Sequence, residues 1–169
     1  MNLSLGDILS KEQIITDLRA TNRWEAIDEL INHLVETGKI KSEHRDGITA
    51  AVRKRESSMS TGIGFGVGIP HASTELVHKP VAIFARSKQR VNFDALDGQP
   101  VSLVILFLVP QGQFQKHLHT VAEIAKLLQK ADFRNALELA PDAEAMLQII
   151  KGDRSFRSEL NLESNDREK

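Results

Sequence analysis

The stretch from Ser60 to His71 reads STGIGFGVGIPH, and the rest of the chain is best approached from it. Gly62, Gly64, Gly66 and Gly68 hold every second position, with Ile63, Phe65, Val67 and Ile69 between them. Alternate residues of an extended chain point to opposite faces. The run therefore predicts one apolar face against a core and one face of bare backbone open to close approach. Pro70 fixes its own φ, lacks an N–H and biases Ile69 toward extended backbone. His71 follows at once, so its imidazole is presented from a constrained mount where a strand or loop ends. A group that titrates near neutral pH in that setting is a candidate nucleophile. A histidine after proline is otherwise an ordinary surface-loop residue, so the chemical reading needs support from the flanking sequence.

Toward the amino end, Ser42 is a candidate cap for a helix running to about Glu56. Ile48, Ala51, Val52 and Arg55 lie on related faces of it, which brings Arg55 to the helix end near the glycine run. The run Arg53, Lys54 and Arg55 reads first as a solvated helix end, which the helix dipole favours, and its alternative use is an anion site beside His71. Before that, Thr21 and Asn22 are N-cap candidates for a helix from Arg23 to Thr37. Its apolar face is Trp24, Ile27, Leu30, Ile31, Leu34 and Val35, and Gly38 stops it. Ser4 is a cap candidate for a short helix from Leu5 to Leu9, and Gln13 to Leu18 reads as a short strand. His33 is read as a partly covered structural residue, and His44 and His78 as surface residues.

Toward the carboxyl end, Ala72 to Lys79 reads as a polar connection. Val81 to Arg86 and Gln89 to Phe93 have strand character, and Asp97-Gly98 marks a turn. The run Val101 to Val109, VSLVILFLV, is almost wholly apolar and rich in β-branched residues, as a central strand buried on both faces requires. A helix follows from about Phe114 to Gln129, with Leu118, Val121, Ile124, Ala125 and Leu128 toward the core. His117 and His119 in it point about 200° apart. His117 shares the inner stripe just beyond the central strand, and His119 faces water. The free N–H groups at this helix start suit an anion. Phe133 to Leu139 and Asp142 to Ile150 read as two closing helices, with Pro141-Asp142 as a start signal. The chain is thus expected to be one folded unit over 1–152, with a charged flexible tail over 153–169.

At 169 residues and 41% apolar content, the chain has the size and composition of one domain with a sizeable core. Twenty-two basic and 23 acidic residues nearly cancel, which gives no global pull toward nucleic acid or an anionic membrane surface. The absence of cysteine removes disulfide and thiol chemistry and fits a reducing compartment, so a cytoplasmic location is expected. No signal-peptide pattern is read at the amino end, and no apolar run approaches the roughly 18 residues of a membrane span. The glycine run does not have nucleotide-binding spacing: Val67 and Ile69 stand where G-x-G-x-x-G needs glycine, and no Gly-Lys-Ser/Thr follows. His117-Leu118-His119 diverges on a helix, and neither H-E-x-x-H nor G-x-S-x-G occurs. No metal and no cofactor are expected. What remains is His71 with Arg55 and His117 as candidate neighbours, a set suited to carrying a phosphoryl group. Imidazole can attack phosphorus and leave again, and guanidinium, imidazole and helix-end N–H groups offset the added charge.

These residues resemble the fructose/mannitol-type IIA component of the bacterial phosphoenolpyruvate-dependent sugar phosphotransferase system, including its nitrogen-regulatory members. The matching pieces are Arg55-Glu56, the run ending in His71, NFDALDGQPV from Asn92 to Val101, the strand LVILFLVP, and KHLHTVAEIAKLL from Lys116. They span about residues 3 to 150. The sequence departs at Phe65 and at Val67-Gly68, where the family often has a small or polar residue and then Ile-Ala. The resemblance implies an α/β fold, a single-domain sandwich of a mixed β-sheet flanked by helices on both faces. It implies that His71 accepts a phosphoryl group from the histidine phosphocarrier HPr or its nitrogen-branch paralogue. His117 would orient the phosphate, Arg55 would neutralise it, and no metal would take part. Onward partners would be a sugar-specific IIB subunit or regulatory target proteins. The length of the chain, without IIB or membrane segments, favours the regulatory role in this reading. A binding module that has lost its chemistry, and a small-molecule hydrolase, are the competing classes. The joint presence of His71, Arg55 and His117 argues against the first, and the lack of an activated serine, cysteine or carboxylate pair against the second.

Overall fold

Residues 5–152 are described here from a computed structural model, and the expected cap at Ser4 and tail over 153–169 lie outside them. The strands are β1 (Ile14–Ile15), β2 (Gly62–Gly64), β3 (Val67–Gly68), β4 (His71–Thr74), β5 (Val81–Val91) and β6 (Val101–Pro110). The helices are α1 (Leu5–Ile8), α2 (Arg23–Glu36), α3 (Arg45–Ser58), α4 (Phe114–Leu128), α5 (Ala131–Leu139) and α6 (143–152). The sheet runs β1-β5-β6-β3-β2, with β4 also paired to β6. It is mixed: β5 and β6 are antiparallel, whereas β3 and β4 run parallel to β6 and β1 parallel to β5.

The apolar run expected to be a central strand is β6, with neighbours on both sides and both faces covered. Val104, Leu106 and Leu108 join Ile83 and Ala85 of β5 in one core, closed by the apolar stripes of α2 and α3. Leu103, Ile105, Phe107 and Val109 join Ala82 and Phe84 in the other, closed by α1, α4, α5 and α6. The period-2 alternation of a strand thus feeds two separate helix layers. Each fully buried Leu, Ile or Phe contributes about 1.5–3 kcal/mol of transfer free energy.

Helix α2 matches its expected span. Asn22 caps it by accepting from the Glu25 N–H at 3.0 Å, and Gly38 follows its end with φ of +75°. Asp142 accepts from the Ala145 N–H at 2.8 Å at the expected start of α6. Ser42 does not cap α3. Residues Ser42–His44 form a separate 3-10 turn, and α3 begins only at Arg45. The expected polar connection from Ala72 to Lys79 begins as strand, Ala72–Thr74 continuing β4 by pairing with the edge of β6 that β5 leaves free, and becomes turn only from Glu75. The two expected strands around Gln89 are one long β5 whose register with β6 shifts between Arg86 and Val91.

The largest correction concerns the glycine run. It is not one extended strand but a tight hairpin, β2 antiparallel to β3, turning at Phe65 and Gly66 with φ of 60° and 75°. Positive φ at both central residues is what the right-handed twist of a two-residue hairpin demands. The turn breaks the alternation, so Val67 and Ile69 are buried while Phe65 is 56% exposed. Nor does the glycine face lie bare. A Cβ on Gly62 would stand 2.8 Å from the Ala95 Cβ and 2.9 Å from its Cα, and one on Gly68 would stand 3.1 Å from the Phe93 ring. The loop between β5 and β6 lies against these glycines, tied down by Ser60 Oγ donating to the Phe93 carbonyl (2.6 Å) and Leu96 N–H to the Gly62 carbonyl (3.1 Å). The close approach is made by the protein's own chain. Replacing Gly62 by Ala should therefore cost about 1–3 kcal/mol of stability, as overpacking against backbone does. Urea unfolding of the variant should show a lower midpoint at unchanged slope.

Candidate functional site

Strand pairing decides where His71 points. It stands opposite Phe107 in the parallel β4–β6 register, and laterally paired residues project from the same face. Phe107 belongs to the core beneath α4, so the imidazole is on the α4 side of the sheet. Pro70 contributes through its carbonyl, which accepts from the Phe107 N–H at 3.0 Å and fixes the entry to β4. The His71 ring stacks on Phe114, the first residue of α4, with centroids 5.6 Å apart and planes 16° from parallel. Phe114 was not singled out from the sequence. A helix-start aromatic signals nothing until the helix is placed over the sheet.

The tautomer is set within the strand entry. His71 Nδ1 lies 2.9 Å from the Ile69 carbonyl oxygen. A carbonyl only accepts, so the proton is on Nδ1 and the Nε2 lone pair is free. Burial pushes the His71 pKa below the ordinary value of 6.5; the bond to the Ile69 carbonyl opposes this, the Arg55 charge lowers it further and the Glu56 charge raises it. The ring is therefore neutral at pH 7 with one nucleophilic nitrogen.

His117 lies three residues beyond Phe114, on the buried stripe of α4 with Thr120, Ile124 and Leu128. Only 6% of it is exposed, and its Nε2 is 3.4 Å from Gln113 Oε1. Burial and the adjacent Lys116 both lower its pKa below 6.5. His119 is exposed beside Glu123, 3.4 Å away, as its position on the helix implied. Leu118 was expected on the core side and is 49% exposed. The buried stripe is centred on His117 and Thr120, one helical step to the side, because the helix turns its first-turn histidine toward the sheet.

Arg55 lies in the last turn of α3, on the opposite face of the sheet, and its Nη1 donates to the Met59 carbonyl at 3.1 Å. That bond closes the helix end, and the guanidinium charge reaches His71 from there. The structure thus places His71 against the start of α4, with His117 one turn further along that helix; Arg55 bears on the ring through its charge, which lowers the His71 pKa. His33 is a structural residue, its Nε2 donating to the Glu12 carbonyl at 2.7 Å. Among the described residues no group of three or more His, Asp or Glu side chains is arranged to hold a metal ion. No described helix is long and apolar enough to cross a membrane. The chemistry available is that of an unprotonated imidazole nitrogen next to a helix amino end, whose N–H groups and partial positive charge favour an anion.

Comparison with known proteins bears on this arrangement. Residues 7–153 match the family model described as phosphoenolpyruvate-dependent sugar phosphotransferase system, EIIA 2. The chain is 34% identical over 149 residues to a nitrogen regulatory protein of Escherichia coli K12, covering 88% of this chain and 90% of that protein. It is also 34% identical over 148 residues to the fructose-specific EIIABC component of Bacillus subtilis. That match covers 88% of this chain but only 23% of the longer protein. The crystal structure of nitrogen regulatory protein IIA-Ntr from Neisseria meningitidis superposes with a TM-score of 0.78 at 30% identity. It covers 86% of this chain and 98% of that one.

The two lowered imidazole pKa values predict a pH dependence of stability. A neutral histidine favoured by the fold must be protonated as pH falls, and the unfolded chain takes up that proton first. Stability from His71 and His117 is therefore fully present above pH 6.5 and is lost as pH falls below 6.5 through their folded values. Titration of the ring signals by NMR should give both midpoints below 6.5, and denaturant midpoints should fall over the same window.

Proposed function

The chain belongs to the EIIA type 2 family of the phosphoenolpyruvate-dependent sugar phosphotransferase system, and we propose that it is a phosphohistidine carrier of the nitrogen-regulatory kind, with His71 as the phosphoryl acceptor. The observation that carries this reading is the His71 ring, neutral and held by its Nδ1–H on the Ile69 carbonyl, with Nε2 as the attacking atom. The donor is HPr or its nitrogen-branch paralogue. As the Nε2 lone pair forms the new N–P bond, the donor's N–P bond breaks and its electron pair returns to the donor imidazole. No oxidant, metal or cofactor enters this exchange.

Each neighbour has a role set by its chemistry. The guanidinium of Arg55 offsets charge on the phosphoryl oxygens, which planar guanidinium does well. His117 orients the phosphoryl group by a ring N–H. The start of α4 adds backbone N–H groups and its dipole. Regulation is favoured over sugar uptake by similarity along nearly the full length of the nitrogen regulatory proteins. Similarity to a fructose-specific component keeps a sugar-specific IIA, passing phosphate to a separate IIB subunit, as the second reading.

Incubation with phosphoenolpyruvate, enzyme I and HPr should add one phosphoryl group to the wild type and none to His71→Ala. Equal labelling of the two, or none on either, overturns the reading. Arg55→Ala should slow acceptance about tenfold or more, as losing a charged donor to a transferring group does. His117→Ala should still accept but should shorten the phosphoprotein's lifetime or slow onward transfer. Rapid transfer to a IIB subunit encoded beside this chain would move the assignment to sugar uptake.

A further inference from the structure

Beyond its charge on the His71 ring, Glu56 has been given no role, yet it is the most deeply buried acid of α3, with only 1% of its surface exposed. Its carboxylate is held by three donors. Thr61 N–H donates to Oε1 at 3.0 Å, Thr61 Oγ1 donates to Oε2 at 2.6 Å, and Arg23 Nη1 reaches Oε1 at 3.3 Å from the first turn of α2. Taking a carboxylate out of water is costly, and an apolar side chain of similar size often serves stability as well. What Glu56 fixes is therefore of interest. Thr61 lies at the entry to β2, and its carbonyl accepts from the Ile69 N–H at 3.0 Å. The Ile69 carbonyl in turn accepts from His71 Nδ1–H at 2.9 Å. A continuous line of hydrogen bonds thus runs from Arg23 through Glu56, Thr61 and Ile69 to the imidazole.

We propose that Glu56 is a positioning residue for His71: by gripping both the amide and the hydroxyl of Thr61, it holds the Ile69 peptide so that its carbonyl keeps the proton on Nδ1 and leaves Nε2 free to attack. Glu56 touches neither the ring nor the phosphoryl group. It acts on the nucleophile through the strand entry, as a hydrogen bond to one ring nitrogen determines the state of the other. Arg23 completes the grip from α2 and prevents the buried carboxylate from standing unpaired. The role in phosphoryl transfer rests on the carrier reading of His71; the tautomer itself does not.

Two readouts therefore separate the two ideas. Nitrogen-15 NMR of the imidazole in the unphosphorylated protein, above its titration range, reports the tautomer without any donor. The rate of phosphorylation by phospho-HPr reports the transfer. Wild type should show the Nδ1–H tautomer alone. Glu56→Ala should show mixed tautomers and accept phosphate about tenfold more slowly, the scale of losing hydrogen bonds to a charged group. Glu56→Gln, which keeps an oxygen acceptor for the Thr61 amide, should recover the Nδ1–H tautomer. Thr61→Val, near in shape and lacking the 2.6 Å bond, should loosen the tautomer and slow acceptance by a smaller factor. Thr61→Val decides the matter alone if Glu56→Ala does not fold. A wild-type tautomer in Thr61→Val or in folded Glu56→Ala overturns the proposal, and so does failure of Glu56→Gln to recover it. If the tautomers shift as expected but wild type accepts no phosphate, the carrier reading fails while the positioning of the ring stands.

Discussion

Strand β6 has no side open to water, and its backbone must be paired on both edges or stand desolvated and unsatisfied. That constraint organises the molecule. β5 occupies one edge along most of its length. The other edge is shared by two short parallel partners, β3 and then β4, separated by Ile69 and Pro70. Proline cannot donate, so the ladder is interrupted there, and the Pro70 carbonyl takes the Phe107 N–H instead. His71 begins the second partner. Its place against Phe107 is the consequence of satisfying the hydrogen bonds of a fully buried strand.

Two helix layers then divide the work around that histidine. The layer of α4 supplies an aromatic wall, a buried second imidazole and a helix amino end. The layer of α2 and α3 supplies the Arg55 charge and the buried Glu56. One side favours the neutral ring by covering it, and Arg55 acts in the same direction. Glu56 and the Ile69 carbonyl act in the other. A carrier needs such a balance: a ring basic enough to attack phosphorus, yet unprotonated when the donor arrives. The hairpin turn at Phe65 bears a backbone conformation that an aromatic residue adopts at some cost, and the Arg134 guanidinium lies 5.2 Å from its ring centroid.

Much of the fold could be read from local pattern because local pattern is what water and the backbone act on. The apolar run of β6, the amphipathic stripe of α2, its cap at Asn22 and its stop at Gly38 are each decided within a few residues. So is the proline-histidine mount, since Pro70 restricts its neighbours by covalent geometry. The failures have an equally physical origin. Alternating glycines fit an extended strand and a tight hairpin alike, and nothing in their spacing shows that the loop carrying Phe93 and Ala95 packs against them. Leu118 is apolar enough for the core, but the orientation of α4 buries the stripe of His117 and Thr120 instead.

By itself the sequence determined the alternation of strands and helices, the identity of the central strand and the residue types from which a phosphoryl carrier is made. Periodicity and steric restriction act over a few residues and leave their mark in the order of side chains. Tertiary structure alone decided that His71 stacks on Phe114, that its proton sits on Nδ1, and that Glu56 connects to it through Thr61 and Ile69. The stack joins a strand to a helix that packing brings over the sheet, whereas the bonds from His71 to Ile69 and from Thr61 to Glu56 span only a few residues and depend on the hairpin and strand register that fix the backbone there.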